Sequence, residues 1–263
     1  MSTKLYWHPN YQTINGSKSA DQTDLSHPTT IPEFYIPPVS YIQYAKKQHE
    51  NHSYYKCPAW QHYWGNTYVV FNQIDISFKW QKSDGLVYET SFDKHRALDY
   101  LFVQEGSIGT EPTRRYQGGK TYPYKNFLVV QWSQSMMFWP KKPNKNLWIE
   151  TIPFPDLHHQ TGMELIVAEF PLGRWLRSVN GAYRCHAETV NVPRGTPMYC
   201  VRFRGGKDGD YLIERWPGVR PPNDVRRLFK VNQGLKTWLP GKSWNLMKND
   251  VEEKKCPFSF LFK

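Results

Sequence analysis

Cysteine is scarce in this chain of 263 residues, with four in all, at Cys57, Cys185, Cys200 and Cys256. They are too few and too far apart for a disulfide framework, and no CxxC pair gives the spacing of a cysteine zinc site. Long apolar runs are missing too. No segment approaches the roughly 20 apolar residues of a membrane helix, and the opening MSTKLYWHPNYQ lacks the apolar stretch of a secretory signal. These absences predict a reduced, soluble protein of the cytoplasm. There is no P-loop, no Gly-rich dinucleotide fingerprint and no GxSxG elbow. Acidic residues are in the minority, 23 against 34 lysines and arginines, which leaves a net charge of +11.

That balance favours an anionic partner: nucleic acid, a membrane surface or an acidic protein face. The plainer alternative is a set of solvated lysines. The positive charges fall in scattered pairs such as Lys46-Lys47, Arg114-Arg115 and Arg226-Arg227 rather than in one block, so the footprint is diffuse. What the chain has in abundance is aromatic surface, with 11 Trp, 17 Tyr and 14 Phe. Its 17 glycines and 20 prolines suit many turns and few long helices. The length suffices to bury a core without covalent staples.

Three segments follow from the patterning. Residues 1–55 are rich in Ser, Thr, Pro, Tyr and His, and HPTTIPEFYIPPVSYIQYAKK reads as an extended arm that wraps the domain or reaches a partner. Residues 56–220 carry the strands. In NQIDISFKWQ the apolar Ile74, Ile76, Phe78 and Trp80 alternate with Asp75, Ser77 and Lys79, and GLVYETSF repeats the pattern after a Ser-Asp-Gly turn, which predicts a hairpin. NFLVVQWSQSMMFW is apolar on both faces over its first half, as a central strand is. LWIETIPF, GMELIVAEF and GDYLIERW are further strands, and residues 181–206 read as two strands around a tight turn. The expected fold is an all-β, antiparallel β-sandwich, jelly-roll-like. Residues 221–263 form a helical docking segment, starting at PPNDVRRLFKV and ending on the apolar CPFSFLFK.

One stretch raises a question of chemistry. In a regular strand His186, Glu188, Val190 and Val192 share a face, and the two valines point that face inward. A buried histidine and carboxylate need partners, since an unpaired buried polar group costs about 1–3 kcal/mol. Iron or another divalent metal is one such partner, because His-x-Glu on a strand offers a nitrogen and an oxygen together. No histidine follows His186, so His158 or His159 would have to complete the set. The alternative is a bulge or register change that exposes both side chains.

Other features carry weaker signals. The turn Pro193-x-Gly195-x-Pro197 resembles the second motif of cupins, but Met198 stands where cupins place a ligand histidine. The resemblance therefore implies a jelly-roll and not a working cupin site. Two Cys-Pro dipeptides, at Cys57 and Cys256, give a context in which thiolates hold heme, although a buried structural cysteine is the commoner outcome. Arg114, Arg115, Tyr116, Lys120, Tyr122, Tyr124 and Lys125 set positive charge beside stacking rings, the pattern of an anion or single-stranded nucleic-acid surface. The same residues also suit an ordinary surface loop packed on the sheet.

KCPAWQHYWGNTYVVFNQIDISFKW and VPRGTPMYCVRF resemble segments of uncharacterised β-rich proteins from large tailed phages of the cyanophage and marine type. The resemblance brackets roughly residues 55–205 and implies a viral origin, in the host cytoplasm or the virion, but no reaction. The expectation is a phage accessory protein that binds a protein or anionic partner without a complete catalytic site. Its rivals are an iron-type metal-dependent enzyme, such as an oxygenase, and a single-stranded nucleic-acid binder.

Overall fold

The computed structural model of the protein describes residues 3–9, 35–48, 54–73, 75–81, 86–90, 128–142, 144–155, 157–173, 176, 178–205, 211–218 and 221–228. Those residues are rich in strands, with a few short helices. Strands β1 (Thr3–Pro9), β6 (Leu128–Pro140), β8 (Met163–Ile166), β10 (Ser178–Cys185) and β13 (Tyr211–Arg215) form one sheet in the order β13-β1-β6-β10-β8. A second sheet runs β2-β3-β12-β7-β9, built from β2 (Val39–Ser40), β3 (Thr67–Phe71), β7 (Trp148–Pro153), β9 (Ala168–Phe170) and β12 (Pro197–Arg204). The third, β11-β4-β5, joins β4 (Ile76–Gln81), β5 (Leu86–Thr90) and β11 (Thr189–Val192). From β6 to β10 each successive strand changes sheet.

The alternation read from sequence holds where side chains are described. In β4, Phe78 is buried and Lys79 exposed, and β4 pairs with β5 as an antiparallel hairpin. The long β6 is central, with β1 on one side and β10 on the other. In β12, Tyr199, Val201 and Phe203 alternate with Cys200 and Arg202, and all five are buried. One set meets the first sheet: the Phe203 ring lies 5.6 Å from Phe138 of β6, and the Tyr199 hydroxyl donates to the Val179 carbonyl. The other set faces helices α1 (Tyr41–Gln48) and α2 (Pro58–Trp64), where Arg202 meets α2. A strand covered on both sides is uniformly buried, which is why β12 and β3 read as almost unbroken apolar runs.

Four expectations are corrected. The N-terminal arm is not simply extended: β1 lies inside the first sheet, and α1 packs on β3, with Tyr44 5.8 Å from Phe71. GMELIVAEF is two strands, because the chain leaves the first sheet after Ile166 and joins the second at Ala168, turning at the exposed Val167. The strands within residues 181–206 do not pair with each other. Instead β10 pairs with β6 and β8, β11 with β4, and β12 with β3 and β7. Finally, the pairing is not wholly antiparallel, since β1 runs parallel to β13.

The Pro193–Pro197 turn is held by β3's own end. Gly195 takes a positive φ of 86° that favours glycine. Its N–H donates to the Asn72 carbonyl, and Asn72 N–H donates to the Thr196 carbonyl. The Asn72 side-chain amide donates to the Val192 and Pro193 carbonyls at 2.9 and 3.2 Å. Next door, Gln73 accepts from the Ile36 N–H and donates to the Ile36 and Phe71 carbonyls, tying the N-terminal segment to the same corner. The C-terminal segment begins with a helix, α4, at residues 223–228.

Candidate functional site

Helix α3 (Leu157–Thr161) carries His158 and His159 and ends on Gly162, whose φ of 69° suits a left-handed cap. A Cβ there would stand 2.6 Å from the Cβ of Ala187, so only glycine allows this approach. The His186 N–H donates to the Gly162 carbonyl at 2.9 Å. This bond carries the β10–β8 pairing one residue past Cys185 and Met163 and brings α3 beside the β10–β11 corner. The His158 ring is 5.3 Å from His186 and 5.9 Å from His159, centroid to centroid.

The histidines named from sequence are therefore gathered, but their carboxylate is a different one. Glu188 is exposed at the bend before β11, while Glu164 of β8 stands 3.3 Å from His186 Nε2 and 3.5 Å from Arg184. Val190 and Val192 do point inward; the bend separates them from His186. Among the described residues, no group of three or more His, Cys, Asp or Glu is placed to hold a metal ion. Cys57 of the first Cys-Pro pair is exposed and serves as the N-cap of α2, with Pro58 at the first helical position. Cys256 and the basic loop from Arg114 to Lys125 lie outside the described residues.

The hydrogen bond with His186 holds the Glu164 carboxyl below the ordinary carboxylate range; burial opposes this, and the Arg184 charge adds to it. A depressed carboxyl stabilises the fold above its unfolded pKa, and that contribution fades as pH falls through the folded value. Solvent screening keeps it small, because both side chains are more than a third exposed. His186→Ala is expected to raise the Glu164 titration midpoint in a carboxyl-detected NMR titration. An unmoved midpoint would remove His186 as the cause.

A second cluster went unread in the sequence. Trp60, Tyr63 and Trp64 recur at i, i+3 and i+4 of α2, between Pro58 and Gly65, which is the signature of a helix with one aromatic face. Yet α2 buries none of its residues. Tyr41 of α1 stacks on Trp64 at 3.9 Å and 22°, and Tyr54 meets Trp60 edge-on at 5.6 Å. Tyr63 remains 54% exposed and Tyr54 45%. Trp64 packs against the core, but leaving half of a ring such as that of Tyr63 in water forgoes about 2–3 kcal/mol of burial, so packing gives little reason for the outer part of this face.

Positive charge runs beneath and beside these rings. The Arg202 guanidinium lies 4.2 Å from the Tyr63 ring centre and 5.7 Å from that of Trp64, within cation–π range. Its Nε donates to the buried Thr67 hydroxyl, and Glu150 bridges Arg202 at 3.6 Å and Arg204 at 2.6 Å. Arg204 is half exposed. Lys46 and Lys47 end α1, and Lys56 ends the 3-10 turn Tyr54–Lys56. Lysines at a helix C-terminus also favour its dipole, but that accounts for neither the arginines nor the exposed Tyr54 and Tyr63 rings. No protein-family model matches the chain, and no curated protein matches it in sequence.

Proposed function

We propose that this is an accessory protein of a tailed phage that acts by binding, and that its partner is anionic, single-stranded nucleic acid. One observation carries the reading: α2 presents the exposed Tyr63 and the half-buried Trp60 and Trp64 on one face, with the Arg202 guanidinium against Tyr63 and Trp64. Every base has a π-face to stack on such rings, and the phosphates between bases need cations nearby. An acidic protein would find the same charge but has few flat groups to match the rings. The alternation of strands between the two five-stranded sheets, with Phe138 against Phe203, supports reading the fold as a jelly-roll-like sandwich that holds this face rigid. The phage-like segments Lys56–Trp80 and Val192–Phe203 suit a role in the host cytoplasm or the virion.

Fluorescence anisotropy with a labelled mixed-sequence DNA oligonucleotide tests this. Binding is expected to weaken steeply as salt rises. Tyr63→Ala, at an exposed position, should cost about 1–3 kcal/mol if a base stacks there. Retention that ignores salt, or an unchanged Kd in Tyr63→Ala and Tyr54→Ala alike, would sink the reading. Salt-sensitive binding to a polyglutamate peptide, without binding to the oligonucleotide, would point to an acidic protein instead.

A further inference from the structure

On the far side of the molecule, the outer face of the first sheet holds a cleft of about 560 Å³. Its size falls within the roughly 300–1,000 Å³ of small-ligand sites. The floor is aromatic: Tyr6 and Trp139 are register partners on β1 and β6, and Trp216 follows β13. The walls come from α4 and the loop that precedes β10. Lys141, Asn144 and Asp224 supply the polar groups.

We propose that this cleft binds a neutral saccharide. The first argument is ring geometry. Tyr6 and Trp216 meet at 79° and 5.1 Å, Tyr6 and Trp139 at 47° and 6.1 Å, and Trp139 and Trp216 at 57° and 6.1 Å. No two rings are parallel, so they form no slot for a flat heterocycle. A pyranose ring is puckered, and its C–H face needs one ring to rest on, since the electron-rich face of an indole attracts polarised C–H groups. The second argument is charge. Lys141 and Asp224, both exposed, carry opposite signs, so the cleft favours neither cation nor anion. The third is hydrogen-bond capacity. An ammonium gives donors and a carboxylate gives acceptors, and the Asn144 amide, whose oxygen already accepts from the Asn146 N–H, gives further donors. A hydroxyl, which donates and accepts, can use all three. A lipid chain would use none of those groups.

Saturation-transfer NMR on the full chain tests the proposal with glucose, galactose, mannose, N-acetylglucosamine, maltose and cellobiose, each at millimolar concentration, and with adenosine and indole as flat competitors. At least one sugar is expected to saturate and to quench tryptophan fluorescence. Asp224→Ala, at an exposed position away from the ring packing, should weaken that sugar by roughly tenfold, the loss of one good hydrogen bond. Trp216→Ala should abolish the quench, with thermal unfolding as the control for its fold. Failure of every sugar, preference for adenosine or indole, or a Kd untouched by Asp224→Ala would each overturn the proposal. None of these results depends on the oligonucleotide assay, which reads the opposite face.

Discussion

Phe203→Ala is expected to lower the unfolding free energy by about 3–5 kcal/mol, the range for truncating a buried phenylalanine. Phe203 is 1% exposed, and its ring is shared between the sheets. It meets Phe138 of β6 at 5.6 Å and Tyr211 of β13 at 6.0 Å, and it meets Tyr68 of its own sheet at 6.2 Å. Three rigid aromatic walls cannot collapse into the space one ring vacates, so the cavity persists and the cost lies toward the upper end. Urea unfolding followed by tryptophan fluorescence measures it, with an unchanged m-value showing that the same surface is exposed. Phe203→Leu, which keeps most of the volume, should recover more than half of the loss. A cost under about 1.5 kcal/mol for the alanine variant would mean that the two sheets do not share this core.

Asn72→Ala should cost about 2–3 kcal/mol, and for a different reason. The residue is 1% exposed, and its amide serves the Val192 and Pro193 carbonyls. Removing it strands one buried acceptor and one partly buried acceptor, each worth about 1–3 kcal/mol according to how much water reaches it. The two backbone bonds between Asn72 and the turn remain in the alanine variant, which limits the loss. Asn72→Asp is the sharper test. It keeps the shape but turns a donor toward carbonyls into an ionised acceptor, so it should be worse than alanine at neutral pH. Part of the loss should return on acidification, as the carboxyl takes up a proton and can donate. Thermal unfolding at pH 7 and pH 4 compares the variants. An aspartate variant as stable as the parent would show that the amide does not hold the turn.

The sequence showed those parts of the fold that local alternation determines. The β4–β5 hairpin and the central position of β6 both follow from which residues sit two apart. What escaped was set by contacts distant in sequence. Nothing within GMELIVAEF marks Val167 as a crossing between sheets, because the apolar run from Leu165 to Ala168 has the same pattern on either path. The parity of His186, Glu188, Val190 and Val192 is that of a strand, but the chain bends at Ala187 and Glu188, where Gly162 closes on Ala187. The three histidines were legible as a group, but their carboxylate, Glu164, lies on a neighbouring strand where spacing gives no clue. The α2 face did have a signal, Pro58 followed by aromatics at i, i+3 and i+4.

The place of β1 has a consequence for how the chain is made. Lys4 pairs with Glu214, 210 residues later, and β1 sits between β6 and β13 rather than at an edge. At about 5–20 residues per second, synthesis delivers the last of these partners on the order of ten to forty seconds after the first strand emerges. Until then the first sheet cannot close: β1 can pair with β6 once that strand emerges, but its other edge stays unpaired. Such long-range closure makes folding slow. That open edge is what chaperones, and aggregation, can reach until β13 arrives.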